Sequence, residues 1–345
     1  MYGKLHSACL YGIDGVLIEV ETDLSNGLPQ TAIIGLPDSA IREAVERVRA
    51  AIKNCGYQYP LQRITINLAP ADLRKEGSSF DLAIAIGLLM TSGQIVLPPQ
   101  ERTLVVGELA LDGTIRSVPG ILSMVDLAKR QGFTSVLLPF DNLEEASLIR
   151  GIQVFGIRHL HDIAPKKTDQ STTSTGVPNK ANAAPVVLKS YAHLTALITD
   201  KTQKLADISS RQTPLFGDDY SDVLGQHHVK RALMIAAAGM HNIMLVGPPG
   251  TGKTMLIKRL PTILPPLSED EALEVTKVLS AAGKLKEAPQ GLITDRPFRS
   301  PHHTISTSGL IGGGAIPKPG EVSLAHRAYC FWMNCRSFSA KCWRY

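Results

Sequence analysis

Residues 247–254 read Gly247-Pro248-Pro249-Gly250-Thr251-Gly252-Lys253-Thr254. A short apolar run of strand length, His241 to Val246, precedes them, and Met255 to Leu264 follows with helical spacing until Pro265 and Pro266 end it. Strand, glycine loop and helix in that order restrict this part of the chain to an α/β arrangement. The eight residues fit the pattern G-x-x-x-x-G-K-[ST], in which main-chain N–H groups close around the β- and γ-phosphates of a nucleotide at a helix N-terminus. Lys253 is then expected to reach the terminal phosphates and Thr254 to place its hydroxyl on Mg²⁺. The cofactors predicted are ATP and Mg²⁺. A Gly/Pro turn that matches by chance is the alternative, and the correct flanks on both sides count against it.

The rest of the chain is long enough for two cores. Its 345 residues are 44% hydrophobic and 19% charged, which excludes a fibrous or broadly disordered protein. No apolar run approaches the roughly 20 residues a membrane helix needs, and the N-terminus has no signal-peptide pattern. A cytoplasmic protein with no membrane partner is expected.

Cysteine placement is uneven. Cys9 and Cys55 stand alone, whereas Cys330, Cys335 and Cys342 crowd the last eighteen residues together with both tryptophans, Trp332 and Trp343. This tail, 328–345, has no acid, and none of its spacings is a zinc pattern. The genetic code offers an explanation. Phe331-Trp332-Met333-Asn334-Cys335 must be encoded TTY-TGG-ATG-AAY-TGY, and two bases along that reads YTG-GAT-GAA-YTG, which can only be Leu-Asp-Glu-Leu. The same shift makes Ala328 to Phe331 an aliphatic run ending in leucine. The hidden frame therefore spells an apolar strand ending in two carboxylates, directly after Arg327. A base lost or gained near codon 327 or 328 would leave 328–345 as frameshifted residues, with a divergent C-terminus as the alternative. The tail adds Arg336, Lys341 and Arg344, so the formal net charge falls from +5 to +2 without it. Net charge is then no argument for nucleic-acid binding.

Four stretches organise the chain. Residues 1–164 read as a mixed α/β domain, with strands expected at Gly15–Glu21, Arg63–Leu68, Thr103–Glu108 and Ser135–Pro139 and helices at Asp38–Cys55, Phe80–Thr91 and Gly120–Gln131. Residues 165–211 read as a linker with one weak helix around Tyr191 to Leu205. Residues 212–327 carry the nucleotide site, and 328–345 are the tail.

The second domain resembles AAA+ ATPases through Asp222-Val-Leu-Gly-Gln226 and the His-His-Val-Lys-Arg-Ala-Leu that follows. Arg296-Pro-Phe-Arg-Ser-Pro-His-His-Thr304, Gly309-Leu-Ile-Gly-Gly-Gly314 and Pro319-Gly-Glu-Val-Ser-Leu-Ala-His-Arg327 are similar to the signature of magnesium-chelatase-like ATPases, above all those of the ComM/YifB competence group. The resemblance implies that Gly225 and Gln226 border the adenine pocket. It implies a Walker B strand after Arg327, where the shifted frame spells Leu-Asp-Glu-Leu, and a loop insertion at Gly312–Gly320. It also implies a homo-hexameric ring motor that binds DNA and drives branch migration during natural transformation. Sensor residues and an arginine finger would lie beyond Arg327, so this chain is expected to be dead for hydrolysis. By the family's strand order, 5-1-4-3-2, the strand before the loop would lose both neighbours and the second domain would fold poorly. The first domain should fold alone.

The first domain resembles the Lon-protease C-terminal type, related to domain 2 of ribosomal protein S5, through Thr65-Ile-Asn-Leu-Ala-Pro-Ala-Asp-Leu73 and Arg74-Lys-Glu-Gly-Ser-Ser-Phe-Asp-Leu82. Ser79 falls where Lon proteases place their nucleophile. The matching stretch Pro119 to Met124 has no lysine to take its proton, so Ser79 reads as structural. Arg42, Arg47, Arg49, Lys53 and Arg63 form either a solvated helix face or a basic surface through which the domain alone binds DNA or a partner. His302, His303 and His326 lack ligand-like spacing and are not expected to hold a metal.

Overall fold

The computed structural model describes residues 1–75, 77–97, 102–163, 186–187 (backbone), 219–285, 291–302, 304–313 and 318–332. The chain divides into two compact units, 1–206 and 207–345. Residues 165–185, 188–211 and 333–345 lie outside the described residues, and with them most of the expected linker, its weak helix and most of the tail.

The first unit is built on a seven-stranded mixed sheet. Its strands are β1 (Tyr2–Tyr11), β2 (Asp14–Ser25), β3 (Gln30–Ile34), β4 (Arg63–Ala69), β6 (Thr103–Val105), β9 (Ser135–Pro139) and β10 (Gln153–Ile157), in the order β10-β9-β6-β1-β2-β4-β3. Three shorter strands complete the numbering: β5 (Ile95–Val96), and the hairpin of β7 (Glu108–Leu109) with β8 (Ile115–Arg116). β1 and β2 form an antiparallel hairpin closed at Tyr11↔Asp14, and β4 runs antiparallel to β2. The pairs β3–β4, β1–β6, β6–β9 and β9–β10 are parallel. Val186–Val187, β11, lies within the expected linker and pairs in parallel with β5, so that stretch is not wholly without regular structure.

Three helices pack on this sheet, and each lies within a residue of its expected bounds. Helix α1 (Ser39–Asn54) begins at Asp38, whose carboxylate accepts the Ile41 N–H at 2.8 Å. It buries Ile41, Ala44, Val48, Ala51 and Ile52, a stripe at helical spacing. Helix α2 (Asp81–Thr91) is apolar almost all round, as suits a helix enclosed by sheet and neighbours. Helix α3 (Ile121–Arg130) starts after Gly120 in the left-handed region, φ 73°.

One polar pair crosses this core. Asp81, fully buried at the start of α2, receives Arg47 from α1 through Nε at 2.9 Å and Nη2 at 3.2 Å. Arg47 thereby leaves the basic surface on which the sequence had placed it. Burial pushes the Asp81 carboxyl up to about 6, even though Arg47 pulls it down.

In the second unit the helix expected over Met255 to Leu264 is an α-helix only to Lys258, followed by a 3₁₀ turn at Leu260–Ile263; two longer helices appear that were not expected, and its described residues hold almost no sheet. After a 3₁₀ turn, Tyr220–Asp222, come α5 (His227–Gly239), α6 (Lys253–Lys258) and α7 (Glu269–Ala281); the single turn Leu143–Ala146 of the first unit is α4. Ser268 caps α7 in a reciprocal box with Glu271. Two small cores form: Tyr220, Val223, Leu233, Ala237, Leu256 and Leu260 in one, Val275, Val278, Leu279, Ile293 and Leu324 in the other.

His241 to Val246 do not form the expected strand. They make no strand pairing among the described residues, and Met244 and Val246 are 77% and 84% exposed. A strand exists only through its neighbours' hydrogen bonds, and the pairs present lie elsewhere. β12 (Phe298–Arg299) runs parallel to β15 (Tyr329–Cys330), and β13 (Gly312–Gly313) pairs with β14 (Lys318–Pro319), so the expected loop insertion is flanked by a short hairpin.

Candidate nucleotide site

The glycine loop keeps the backbone its sequence calls for. Gly250 and Gly252 take φ of 83° and 80°, the left-handed region in which a side chain is strained. These glycines turn the chain into α6, whose first intrahelical bond is Leu256 N–H to Gly252 O at 3.0 Å. The N–H groups of Lys253, Thr254 and Met255 therefore have no acceptor within the helix and lie at its positive end. Pro248 and Pro249 contribute no N–H, so the loop's donors are concentrated from Gly250 onward.

Lys253 is folded over its own loop. Its ammonium donates to Gly247 O at 2.9 Å, Pro248 O at 2.6 Å and the Thr251 hydroxyl at 3.0 Å, so all three donors are used. Thr251 donates in turn to Pro248 O at 3.0 Å. Phosphate oxygens would replace these neutral acceptors with charged ones, and charge-assisted bonds are roughly twice as strong. Thr254 is exposed beside Lys253, and its hydroxyl is a hard oxygen of the kind Mg²⁺ prefers. The loop residues thus fit a Mg²⁺-bound nucleoside phosphate.

Gly225 (φ 71°) and Gln226 (φ 53°) are both left-handed and open α5. The turn before them is tied to the glycine-loop helix. Tyr220 and Val223 pack on Leu256 and Leu260, and the Asp222 carboxylate meets Arg259 Nε at 3.5 Å while accepting the Asp219 N–H at 2.9 Å. Asp222 opens the motif that carries the AAA+ resemblance, but its pairing with Arg259 was not foreseen, because a spacing of 37 residues carries no local signal.

The second family segment is committed to an ion network. Arg296 donates to Pro265 O at 2.7 Å and Arg327 O at 2.5 Å and pairs with Glu271 at 3.2 Å. Arg327 meets Glu274 at 2.8 Å, and His326 meets the same carboxylate at 3.2 Å. These two bonds hold the Glu274 carboxyl below its ordinary value. His302 bonds Thr304 at 2.8 Å, and His303 lies outside the described residues.

β15 follows Ala328 and lies in the stretch that the shifted frame makes aliphatic; the two carboxylates of that frame fall at codons 332–334, of which only Trp332 is among the described residues. In its own frame the segment offers Tyr329, Cys330, Phe331 and Trp332. Tyr329 donates to Ala236 O at 2.8 Å, and burial pushes the Cys330 thiol up. Neither group is a hard anionic ligand.

In the first unit, Ser79 is 5% exposed and its hydroxyl donates to Ala8 O at 3.3 Å, a main-chain acceptor of β1. Lys75, four residues earlier, is fully buried, and its ammonium donates to Pro70 O. Burial lowers the Lys75 pKa. Arg42 and Arg49 line a cavity of about 310 Å³ with Tyr59, and the Arg49 guanidinium lies 5.5 Å from the Tyr59 ring centre.

Two family models divide the chain. Residues 219–344 match the model described as magnesium chelatase, subunit ChlI, and residues 20–142 match that described as subunit ChlI of Mg-chelatase. The chain therefore belongs to the magnesium-chelatase-like AAA+ family, with a mixed α/β first domain and a P-loop second domain.

Among its relatives, the YifB protein of Escherichia coli is 41% identical over 327 residues, 95% of this chain and 58% of that protein. The competence protein ComM of Haemophilus influenzae is 38% identical over 337 residues, 98% of this chain and 61% of that protein. Lon protease 2 of Bacillus subtilis is 24% identical over 180 residues, 47% of this chain and 32% of that protein. The chain thus spans about three-fifths of the length of its YifB and ComM relatives. No helix among the described residues is long and apolar enough to cross a membrane.

Proposed function

We propose that residues 247–254 bind ATP with Mg²⁺, and that the chain carries the nucleotide-binding part of a ComM-like, homo-hexameric motor that migrates DNA branches. The observation that carries this reading is the loop itself. Its glycines hold left-handed turns, its helix presents donors without helical acceptors, and Lys253 is poised over both. In the bound state Lys253 leaves Gly247 O and Pro248 O for the β- and γ-phosphates. The N–H groups of Gly250 to Thr254 hold the phosphate oxygens, and Thr254 supplies one oxygen to Mg²⁺. Gly225 and Gln226 border the base.

Hydrolysis needs a carboxylate beyond Thr254 to complete the metal shell and orient water. In its own frame the chain has Trp332, Met333 and Asn334 at the codons where the shifted frame spells Asp-Glu, and none of these is a carboxylate, so this chain is proposed to bind ATP without turning it over. The frameshift reading of 328–345 belongs to the same proposal, and resequencing codons 320–345 tests it directly.

The binding test is titration with a fluorescent ATP analogue, with and without Mg²⁺. Saturable binding that falls at least tenfold in Lys253→Ala supports the assignment, and equal binding by the variant rejects it. Phosphate release at the rate of a buffer control is the expected outcome for hydrolysis; release above it contradicts the inactive reading.

A second reading has its own observation. The cavity framed by Arg42, Arg49 and Tyr59 combines two cations and an aromatic face, a combination suited to a nucleic-acid strand. Binding of single-stranded DNA that weakens with salt and is lost in Arg42→Ala/Arg49→Ala would establish the first domain as a binding module.

A further inference from the structure

Cys55 is more than a hundred residues from His159 and His161 in sequence, yet the ligand atoms of all three lie within 4.8 Å of one another. Cys55 caps the C-terminus of α1 and is 2% exposed. His159 and His161 follow β10, half-buried, with rings stacked at a centroid distance of 4.8 Å and an angle of 13°. The main-chain oxygen of Asp112 faces the same point, 3.1 Å from His159 Nε2 and 3.7 Å from Cys55 Sγ.

Each of these groups sits on a fixed segment. Asn54 Nδ2 donates to Leu111 O at 2.7 Å and ties the end of α1 to the turn of the β7–β8 hairpin. The turn is closed by Ala110 N–H to Thr114 O at 2.9 Å, and Leu160 N–H donates to Gly113 O at 2.9 Å. The Asp162 carboxylate accepts both Arg158 N–H, at 2.9 Å, and His159 N–H, at 3.0 Å. Gly113 lets the turn approach: at φ 94°, an added Cβ would overlap Cys55 Sγ.

We propose that Cys55, His159 and His161 form a binding site for a borderline-soft divalent metal ion of the zinc class, with the Asp112 carbonyl or a water as fourth ligand. One thiolate and two imidazoles are a donor set that favours such ions over Mg²⁺ or Ca²⁺. Tetrahedral bonds of zinc length place ligand atoms about 3.3–3.6 Å apart, so closure from 4.8 Å needs a contraction of about 1 Å. On binding, the Cys55 thiol gives its proton to solvent and a metal–sulfur bond forms. Coordination by His159 Nε2 replaces the contact with Asp112 O and moves the ring proton to Nδ1. The 3.2 Å contact from His161 N–H to Nδ1 is then given up.

Co²⁺ is the probe, added at one equivalent to the full chain after chelator treatment. The expected result is a near-ultraviolet thiolate-to-cobalt charge-transfer band with visible bands of a four-coordinate ion. Cys55→Ser abolishes the charge-transfer band, and the triple change Cys330→Ser, Cys335→Ser, Cys342→Ser leaves it intact. His161→Gln, at a half-buried position, weakens Co²⁺ binding at least tenfold without altering the circular dichroism of the metal-free chain, and it provides the test if Cys55→Ser fails to fold. Absence of the band, its survival in Cys55→Ser, or unchanged affinity in His161→Gln overturns the proposal.

Discussion

Replacing Arg47 with methionine should destabilise the first unit by an amount that depends on pH. Arg47 is the cation that faces Asp81, which among the described residues also accepts the Leu109 N–H, at 3.3 Å. Asp81 is raised from an ordinary 3.8 to about 6 in the folded state. Its linkage contribution is therefore fully present below pH 3.8 and is lost as pH rises through 6. At 1.36 kcal/mol per unit, that loss is about 3 kcal/mol. Without Arg47 the carboxyl titrates higher still. At pH 5 wild type and variant both hold a protonated Asp81, and the variant loses little beyond hydrogen bonds, about 1 kcal/mol.

At pH 8 the wild type holds an ion pair, whereas the variant must bury a lone charge or keep a proton. Breaking a buried pair costs about 3–5 kcal/mol. The difference between the two pH values should be about 2–3 kcal/mol, set by the gap between pH 8 and the wild-type value near 6. Urea unfolding followed by circular dichroism at pH 5 and pH 8 measures it. A penalty equal at both pH values, or below about 1 kcal/mol at pH 8, would refute the argument that Arg47 compensates a buried charge.

Three further outcomes follow from the geometry. Gly113→Ala should cost about 1–3 kcal/mol in thermal or urea unfolding, because a left-handed backbone and an overlap with Cys55 Sγ coincide; a neutral result would show that the hairpin turn can shift away. Ser79→Ala should cost about 1 kcal/mol in urea unfolding through its bond to Ala8 O, and casein cleavage should be at background in both proteins. Proteolysis lost specifically in the variant would restore a catalytic role. Amide exchange at Ile243 to Val246 should be among the fastest of the described residues and that of β2 among the slowest, since only the latter is paired on both sides; slow exchange at Val246 would mean a strand forms there.

Helix bounds were legible because their determinants are local. Asp38 caps α1, Gly120 opens α3, and the apolar spacing of each sets its buried face. β2, β4 and β9 could be read for a similar reason, as apolar runs or alternations of strand length. β1 could not, since Tyr2 to Tyr11 mixes Lys4, His6 and Ser7 with small residues, and only its pairing with β2 and β6 makes it a central strand. The glycine loop was readable residue by residue, whereas the run before it was misjudged. His241 to Val246 has the composition of a strand, but composition supplies no partner. Arg47 was misplaced because a cation among other cations on a helix gives no sign of a carboxylate 34 residues away. The cluster of Cys55, His159 and His161 was invisible for the same reason: its spacing exists only after α1, the β7–β8 turn and the end of β10 have been brought together.

β12 and β15 are joined by main-chain groups, and main-chain groups are the same in every residue but proline. Parallel pairing is thus blind to which side chains a strand carries. Spectra and melting curves that register this pairing therefore carry no information about the side chains set on it.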